Sequence, residues 1–269
     1  MTFFALVCCF SRTAKVRIFL AIFHFTNGDD LKNTLYHLSY LDLAVTLIPL
    51  ILSLIIFWFW QANWKKALYG SFRMLAQLFI IGFFLKFIFS LDRVVPIFVV
   101  LLFMLTVAAW ITLNPLTENK MRLFPFSFLS LLIVCVPTLG LIIFGIIRPT
   151  PWYRPTYLIP LSGMIFANTM NAMSIGLERL NRELDAKTPL AQAKLEAFKA
   201  SVIPITNSFL AVGLVSLPGM MTGQILAGVD PLIAVRYQIM IMSTVFGTAG
   251  LGSSLFLSFL VARREYTQR

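Results

Sequence analysis

Long apolar stretches alternate with short polar joints along this chain, and their lengths set the architecture. Seven stretches approach the ~20 residues that a helix needs to cross a bilayer. They run roughly over 42–60, 68–90, 94–113, 124–147, 155–178, 202–228 and 232–261. The joints carry helix punctuation: Asn63 before Lys65-Lys66, Asp92-Arg93, Asn114-Pro115, Arg148-Pro149-Thr150-Pro151 and Asp230-Pro231. The last reads as a helix start, with Asp230 as N-cap and Pro231 at the first helical position. The expected fold is all-α, a polytopic integral membrane protein of about seven transmembrane helices.

The sixth stretch departs from the others. An apolar helix from Ser201 runs into Pro218-Gly219 and continues with Met220-Met221-Thr222-Gly223-Gln224. Backbone freed at such a break cannot face lipid, because each unpaired N–H or C=O there costs several kcal/mol. It must be buried against protein or line a wet cavity. Discontinuous membrane helices of this kind mark where transporters hold or pass cargo.

Composition agrees with the membrane reading. Hydrophobic residues make up 59% and charged residues 12% of the chain, against roughly 45–50% and about 25% in soluble domains. A net charge of +11 suggests nucleic acid in a soluble protein, but no zinc finger or RNA-binding motif occurs, and the basic residues fall in short loops. Alternate loops and the tail hold twelve Lys and Arg, among them Lys65, Lys66, Lys120, Arg122, Arg179, Arg182, Lys187, Lys194 and Lys199; the opposite loops hold three, Arg93, Arg148 and Arg154. The positive-inside rule then puts the N-terminus outside and the C-terminus in the cytosol.

Residues 1–41 are set apart as a leader or disordered extension, since Phe3–Phe10 and Ile18–Phe25 are too short to span. Residues 42–264 form the transmembrane domain and 265–269 a cytosolic tail. Arg179–Ala200 is the one sizeable polar piece, read as a short amphipathic helix, a turn near Thr188-Pro189 and helix again. Cys8, Cys9 and Cys135 give neither a disulfide framework nor metal spacing. No G-x-x-x-x-G-K-[ST] phosphate loop is present, so the chain is not expected to hydrolyse ATP itself. Nor is H-E-x-x-H or a Ser/His/Asp set, and the chain reads as no enzyme.

Val215-Ser216-Leu217-Pro218-Gly219-Met220-Met221-Thr222-Gly223-Gln224-Ile225-Leu226-Ala227-Gly228, with Asp230-Pro231 and Arg236-Tyr237-Gln238-Ile239, resembles the FetB-type permease family. Gly163-Met164-Ile165, Asn168, Met170, Ile203-Pro204, Asn207-Ser208, Arg73, Gln77 and Gly82 are similar to it too, so the likeness covers about Leu41 to Arg264. The resemblance implies the membrane permease subunit of a two-component ABC transporter, linked to iron export in bacteria and to aluminium tolerance in plants. It implies a cytosolic ABC ATPase partner, which would bring ATP and Mg; no cofactor is expected in this chain. Alternatives are a nucleotide-sugar cargo such as UDP-glucose, or an ATP-independent secondary transporter or channel. The last is disfavoured because Asp42, Asp92, Glu118, Glu178 and Asp230 all fall near span ends, and such relays use buried carboxylates. The membrane would be the inner one in a bacterium, organellar or plasma membrane in a eukaryote. Two chains are expected to pair, since seven helices are few for an enclosed route.

Candidate residues follow, each with its blander reading. Met220 and Met221 either line the pathway or fill gaps; neighbours on a helix point about 100° apart, so both cannot face one ion on regular backbone. Gly219 and Gly223 form a small-xxx-small pair for close packing, and Pro218 with Gly219 makes the break. Thr222 and Gln224 put polar atoms just after it. Asn168 and Asn171 share a helical face with Glu178 and either bond another helix or coordinate cargo; Asn207 is weighed the same way. Arg73 and Gln77 form an intramembrane polar pair, with Glu178 and Asn171 as partners for Arg73 or snorkelling as the alternative. Arg179, Arg182, Lys187, Pro189 and Lys194 are assigned to ATPase coupling.

Overall fold

A computed structural model describes residues 39–89, 93–116 and 120–263. The readings for residues 1–38, Asp92, Glu118, Arg264 and the tail lie outside the described residues.

The described residues fold as α-helices: α1 Tyr40–Thr46, α2 Ile48–Phe59, α3 Trp64–Phe89, α4 Val94–Thr112, α5 Lys120–Gly140, α6 Pro155–Asp185, α7 Leu190–Ala211, α8 Gly219–Leu226 and α9 Pro231–Ala262. No strand forms among them. Helix α5 loosens into π-helical turns over Leu141–Ile147. Six helices are long and apolar enough to cross a membrane: Asp42–Phe59 (α1 and α2 together), Trp64–Leu85, Val94–Thr112, Lys120–Ile147, Pro155–Asp185 and Pro231–Ala262. Each lies within a few residues of its predicted stretch. The predicted 202–228 crossing is different. It is divided between the end of α7 and the separate α8, whose 8 residues rise only about 12 Å against a ~30 Å hydrocarbon core.

Helix α6 is the axis of the molecule. It packs against α4, α5, α7 and α9, whereas α1–α3 touch this bundle only lightly, through α3. The core runs through Leu105 and Ala109 of α4, Leu131 and Cys135 of α5, Ile165, Met173 and Leu177 of α6, and Val245, Ala249 and Phe256 of α9. Lipid offers no hydrophobic drive between helices, so close approach at small residues decides the crossings. Ser127 of α5 donates its hydroxyl to the Ala109 carbonyl of α4 at 3.0 Å. Cys135 meets the Thr169 hydroxyl of α6 at 3.6 Å. A Cβ at Gly176 of α6 would lie 3.3 Å from Ser201 of α7, and one at Gly252 of α9 would run into Thr169 Cγ2.

Most hydroxyls in the spans are satisfied within their own helix: Thr106, Ser130, Thr138, Thr244 and Ser253 each donate to the carbonyl four residues back. These bonds leave them no unmet polarity in lipid. At the aromatic end of the bundle, Trp152 stacks with Phe98, Phe144 and Tyr153, as residues at a membrane interface do.

The α6–α9 crossing is testable. Gly252→Val overpacks it and should cost about 1–3 kcal/mol, read as a lower melting temperature of the detergent-solubilised chain. Adding Thr169→Ser removes the opposing methyl and should restore most of the loss. An unchanged melting temperature for Gly252→Val refutes this contact.

Candidate functional site

Helix α7 leaves a polar hairpin, runs antiparallel to α6, and stops part-way. Ser201 lies level with Gly176. Ten residues further on, Ala211 stands opposite about Phe166, near the middle of the membrane-crossing part of α6. The helix ends there, and the chain turns through Val212–Pro218 before α8 begins. Gly213 takes φ +83°, a conformation that glycine adopts at no steric cost. The Ala211 carbonyl accepts from Val215 N–H at 2.8 Å and Ser216 N–H at 3.1 Å, while Gly213 N–H donates to the Ser216 carbonyl at 3.0 Å. The carbonyls of Gly213, Leu214 and Val215 accept no backbone bond. Their side chains project outward, Leu214 at 90% and Val215 at 84% exposure.

Pro218 then caps α8 with extended backbone. The far end of α8 closes as a Schellman turn: Gly228 N–H donates to Ile225 and Val229 N–H to Gln224, with Gly228 at φ +84°. Asp230 caps α9 as its sequence predicts, accepting from the N–H groups of Leu232 at 2.8 Å and Ile233 at 3.3 Å. Thus α8 and α9 form a helical hairpin with the break at its open end.

Between break and hairpin lies a pocket of about 250 Å³ lined by Phe209, Val212, Leu217, Met221, Gln238 and Met242 among others. Phe209 closes one side by stacking on Phe246 of α9, with ring centroids 4.7 Å apart. Gln238 is 5% exposed, and among the described residues its Oε1 has no hydrogen-bond partner; the same holds for Gln224 Oε1. Orphaned buried acceptors are rare and expensive. Two on one hairpin mark it as a place where stability has been given up.

The sequence candidates separate here. Met221 lines the pocket, whereas Met220 packs against the hydrophobic core; the helical twist parts the two. Pro218 lines the pocket as well. Close packing of Gly219 and Gly223 does not occur among the described residues, because a Cβ on either would meet nothing within 4 Å. Their faces are open. Asn168 bonds its own helix, donating Nδ2 to the Met164 carbonyl at 2.8 Å, and neither it nor Asn171 lies in the pocket. Asn207 is exposed on α7. Gln238 carries no role in the sequence reading beyond family likeness; an isolated amide in an apolar span was its only signal.

Arg73 and Gln77 are exposed on α3. The partner expected for Arg73 is taken: Glu178 pairs with Arg182 at 2.5 Å. Arg73 forms no ion pair among the described residues, and the snorkelling alternative fits its place. The polar hairpin is laced by Arg179–Glu183 at 2.6 Å and Lys199–Glu196 at 2.8 Å as well. Thr188 also donates to Glu183 at 2.8 Å, tying the turn to α6. The Lys199 hydrogen bond and charge hold the Glu196 carboxyl below its ordinary range. Lys187 sits in the left-handed region at φ +59°, and Pro189 precedes α7.

Among the described residues no three His, Cys, Asp or Glu side chains gather as a metal site. The pocket offers neutral donors and apolar walls, which bind and release but do not perform acid–base chemistry. Replacing Gln238 with Leu removes an orphaned acceptor at similar volume. It should raise stability to unfolding by about 1 kcal/mol, measured as a shift in the melting temperature of the solubilised chain; a clear loss would mean that the amide is satisfied.

The family model described as "Uncharacterised protein family (UPF0014)" matches residues 40–266. "UPF0014 membrane protein slr1647" of Synechocystis is 40% identical over 218 residues, 76% of this chain and 84% of that protein. "Probable iron export permease protein FetB" of Escherichia coli is 34% identical over 223 residues, 76% of this chain and 83% of its own length. "Protein ALUMINUM SENSITIVE 3" of Arabidopsis thaliana is 32% identical over 203 residues, 70% of this chain and 73% of that protein. No solved structure matches. With apolar spans of the right length and relatives named as membrane proteins, the chain is a multi-pass membrane protein and belongs to the UPF0014 family.

Proposed function

We propose that this chain is the permease subunit of an ABC transporter, exporting a metal ion, iron foremost, with ATP hydrolysed by a separate cytosolic subunit. The observation that carries the reading is the break at mid-depth with a pocket behind it. A helix that stops inside the bilayer, leaving carbonyls unpaired, is tolerated where the backbone lines a path. The name of the Escherichia coli relative supports iron and export.

A second copy of the chain would complete the assembly. The open faces of Gly219 and Gly223 suit burial against protein better than lipid. The basic hairpin between α6 and α7 is cytosolic by the positive-inside rule, and Arg179, Arg182, Lys187, Pro189 and Lys194 would meet the ATPase there. Closure of the ATPases would push on this hairpin. Helix α7 would pass the displacement to the break, and α8 would swing from α9 to open the pocket outward.

Co-purification tests the partner. The solubilised chain should recover a Walker-motif ATPase, and replacing residues 179–200 by a Gly/Ser linker should lose it. Gly219→Leu meets no clash within the chain, so it should insert normally while cutting ATP-driven export from vesicles at least about tenfold. Export by vesicles without ATP overturns the reading, and normal export by Gly219→Leu reduces the break to packing.

A further inference from the structure

Two polar faces at membrane depth stand open on this chain, and they match. The first is on α3. Gly70 and Gln77 lie two turns apart on one face, and both are exposed. That face is turned about 120° from Ser71, which with Ala67 and Leu75 forms the partly covered side of α3. Gln77 therefore looks away from the chain's own bundle. A Cβ on Gly70 would meet nothing within 4 Å, and the Trp64–Leu85 span is 0% buried within the chain. Arg73 extends to the cytosolic headgroups. The shorter Gln77 side chain, about 17 Å of helix rise beyond Lys66, does not reach them.

The second face is on α7. Ile203, Asn207 and Leu210 lie along one exposed side that leads to the break. There Gly213, Leu214 and Val215 are exposed, and among the described residues their carbonyls accept no backbone bond. Ala211 stands opposite about Phe166, which is about 18 Å from Glu178 along α6. Helices α3 and α7 both rise from the cytosolic side. Gln77 thus comes level with Ala211, and Gly70 with Ile203 and Pro204.

We propose that these faces meet between two copies of the chain: α3 of one lies along α7 of the other, with the Gln77 amide donating to the open carbonyls of the break. Depth and donor type choose the occupant. Lipid tails supply no hydrogen bond at that level, and a two-fold axis along the membrane normal carries every residue to the same depth. A second copy therefore brings a donor to each break in register, and the contact is made twice. Gly70 leaves room for Ile203, exposed at 55%, to approach the α3 backbone. The break is incomplete in one chain, and α3 of the other forms its missing wall. This contact is separate from the open faces of Gly219 and Gly223 on α8. It rests on the second copy in the reading above, not on its ATPase or its cargo.

Disulfide trapping in native membranes tests it. Two tagged full-length copies carrying Cys8→Ala, Cys9→Ala and Cys135→Ala are co-expressed, one with Gln77→Cys and the other with Leu214→Cys. Mild oxidation should join them, whereas Ser71→Cys in place of Gln77→Cys should give no cross-link. Self-association, read by energy transfer between labelled copies in vesicles, should weaken roughly tenfold in Gln77→Leu, which loses two hydrogen-bonded contacts per pair. Gln77→Asn keeps the amide and should retain most of the affinity. Phe72→Leu, exposed at 72% but about 140° round the helix, should leave association unchanged. Failure of Gln77→Cys to join Leu214→Cys, or its capture of a different protein instead, overturns the interface. Equal weakening by Phe72→Leu overturns it too. A pair that forms in this way but recovers no ATPase refutes the ABC reading alone. An ATPase-bound chain whose self-association ignores Gln77→Leu refutes the interface alone.

Discussion

Every backbone N–H and C=O at membrane depth must find a partner inside the protein, and the structure depends on that requirement. Continuous helices meet it over α3–α6 and α9. Span hydroxyls meet it by donating back to their own helix, as Thr138 and Ser253 do. The one segment that evades it, Val212–Pro218, does so only in part. Four donors fold back toward Ala211 and Ser216, while among the described residues the carbonyls of Gly213, Leu214 and Val215 accept no backbone bond. Leu214 and Val215 do not force this, since both would sit comfortably in a helix within lipid. Gly213 and Pro218 impose the exception, one supplying positive φ and the other forbidding the N–H that a continuous helix would use. Two residues thus convert a crossing into a cavity.

The cavity is deformable because of how unevenly the molecule is packed. Helices α4, α5, α6 and α9 interlock through Ala109, Cys135, Thr169 and Gly252, whereas α8 leans chiefly on α9. Both orphaned amide oxygens belong to this weaker contact. An opening that let water or cargo reach them would recover part of their desolvation cost. In a solvent that adds no hydrophobic drive between helices, a cost of about 1–3 kcal/mol for each orphaned group is comparable to a whole interhelical contact.

Much of the fold was legible because hydropathy and punctuation report the same physics that the structure obeys. The span limits agree to within a few residues, Asp230-Pro231 starts α9 as read, and the break appears where Pro218-Gly219 announced it. The helix after Thr188-Pro189 was legible too, since Ala191, Gln192, Lys194, Leu195 and Glu196 are strong helix formers and α7 begins at Leu190; hydropathy did not show that it runs on unbroken into the apolar stretch at 202. Site residues were legible where chemistry and helical phase coincided, as for Met221. They were lost where only tertiary packing decides. Gln238 is one amide in a long apolar run, and nothing in its neighbours says that its oxygen lacks a partner. Gly219 and Gly223 have the spacing of a packing motif but no packing neighbour among the described residues, since spacing fixes a face and not what covers it. Arg73 lost Glu178 to Arg182, because four residues along one helix is a shorter reach than the distance between two helices.

The length of α7 sets how far apart the charged hairpin and the break lie. Its 22 residues rise about 33 Å, from a hairpin held by three ion pairs to the edge of the pocket. Exposed pairs of that kind, each within one helix, add little stability, ~0–1 kcal/mol each; the Thr188–Glu183 hydrogen bond ties the turn to α6. Pro204 sits within α7 and removes one helical hydrogen bond, but Ser208 donates its hydroxyl to the Pro204 carbonyl at 3.0 Å, and the helix carries on. Helix α7 therefore runs as one nearly continuous rod, closest to α6 where Gly176 meets Ser201. The far end of that rod is Phe209, stacked on Phe246 at the wall of the pocket. The charged hairpin and the pocket wall therefore lie at opposite ends of one helix.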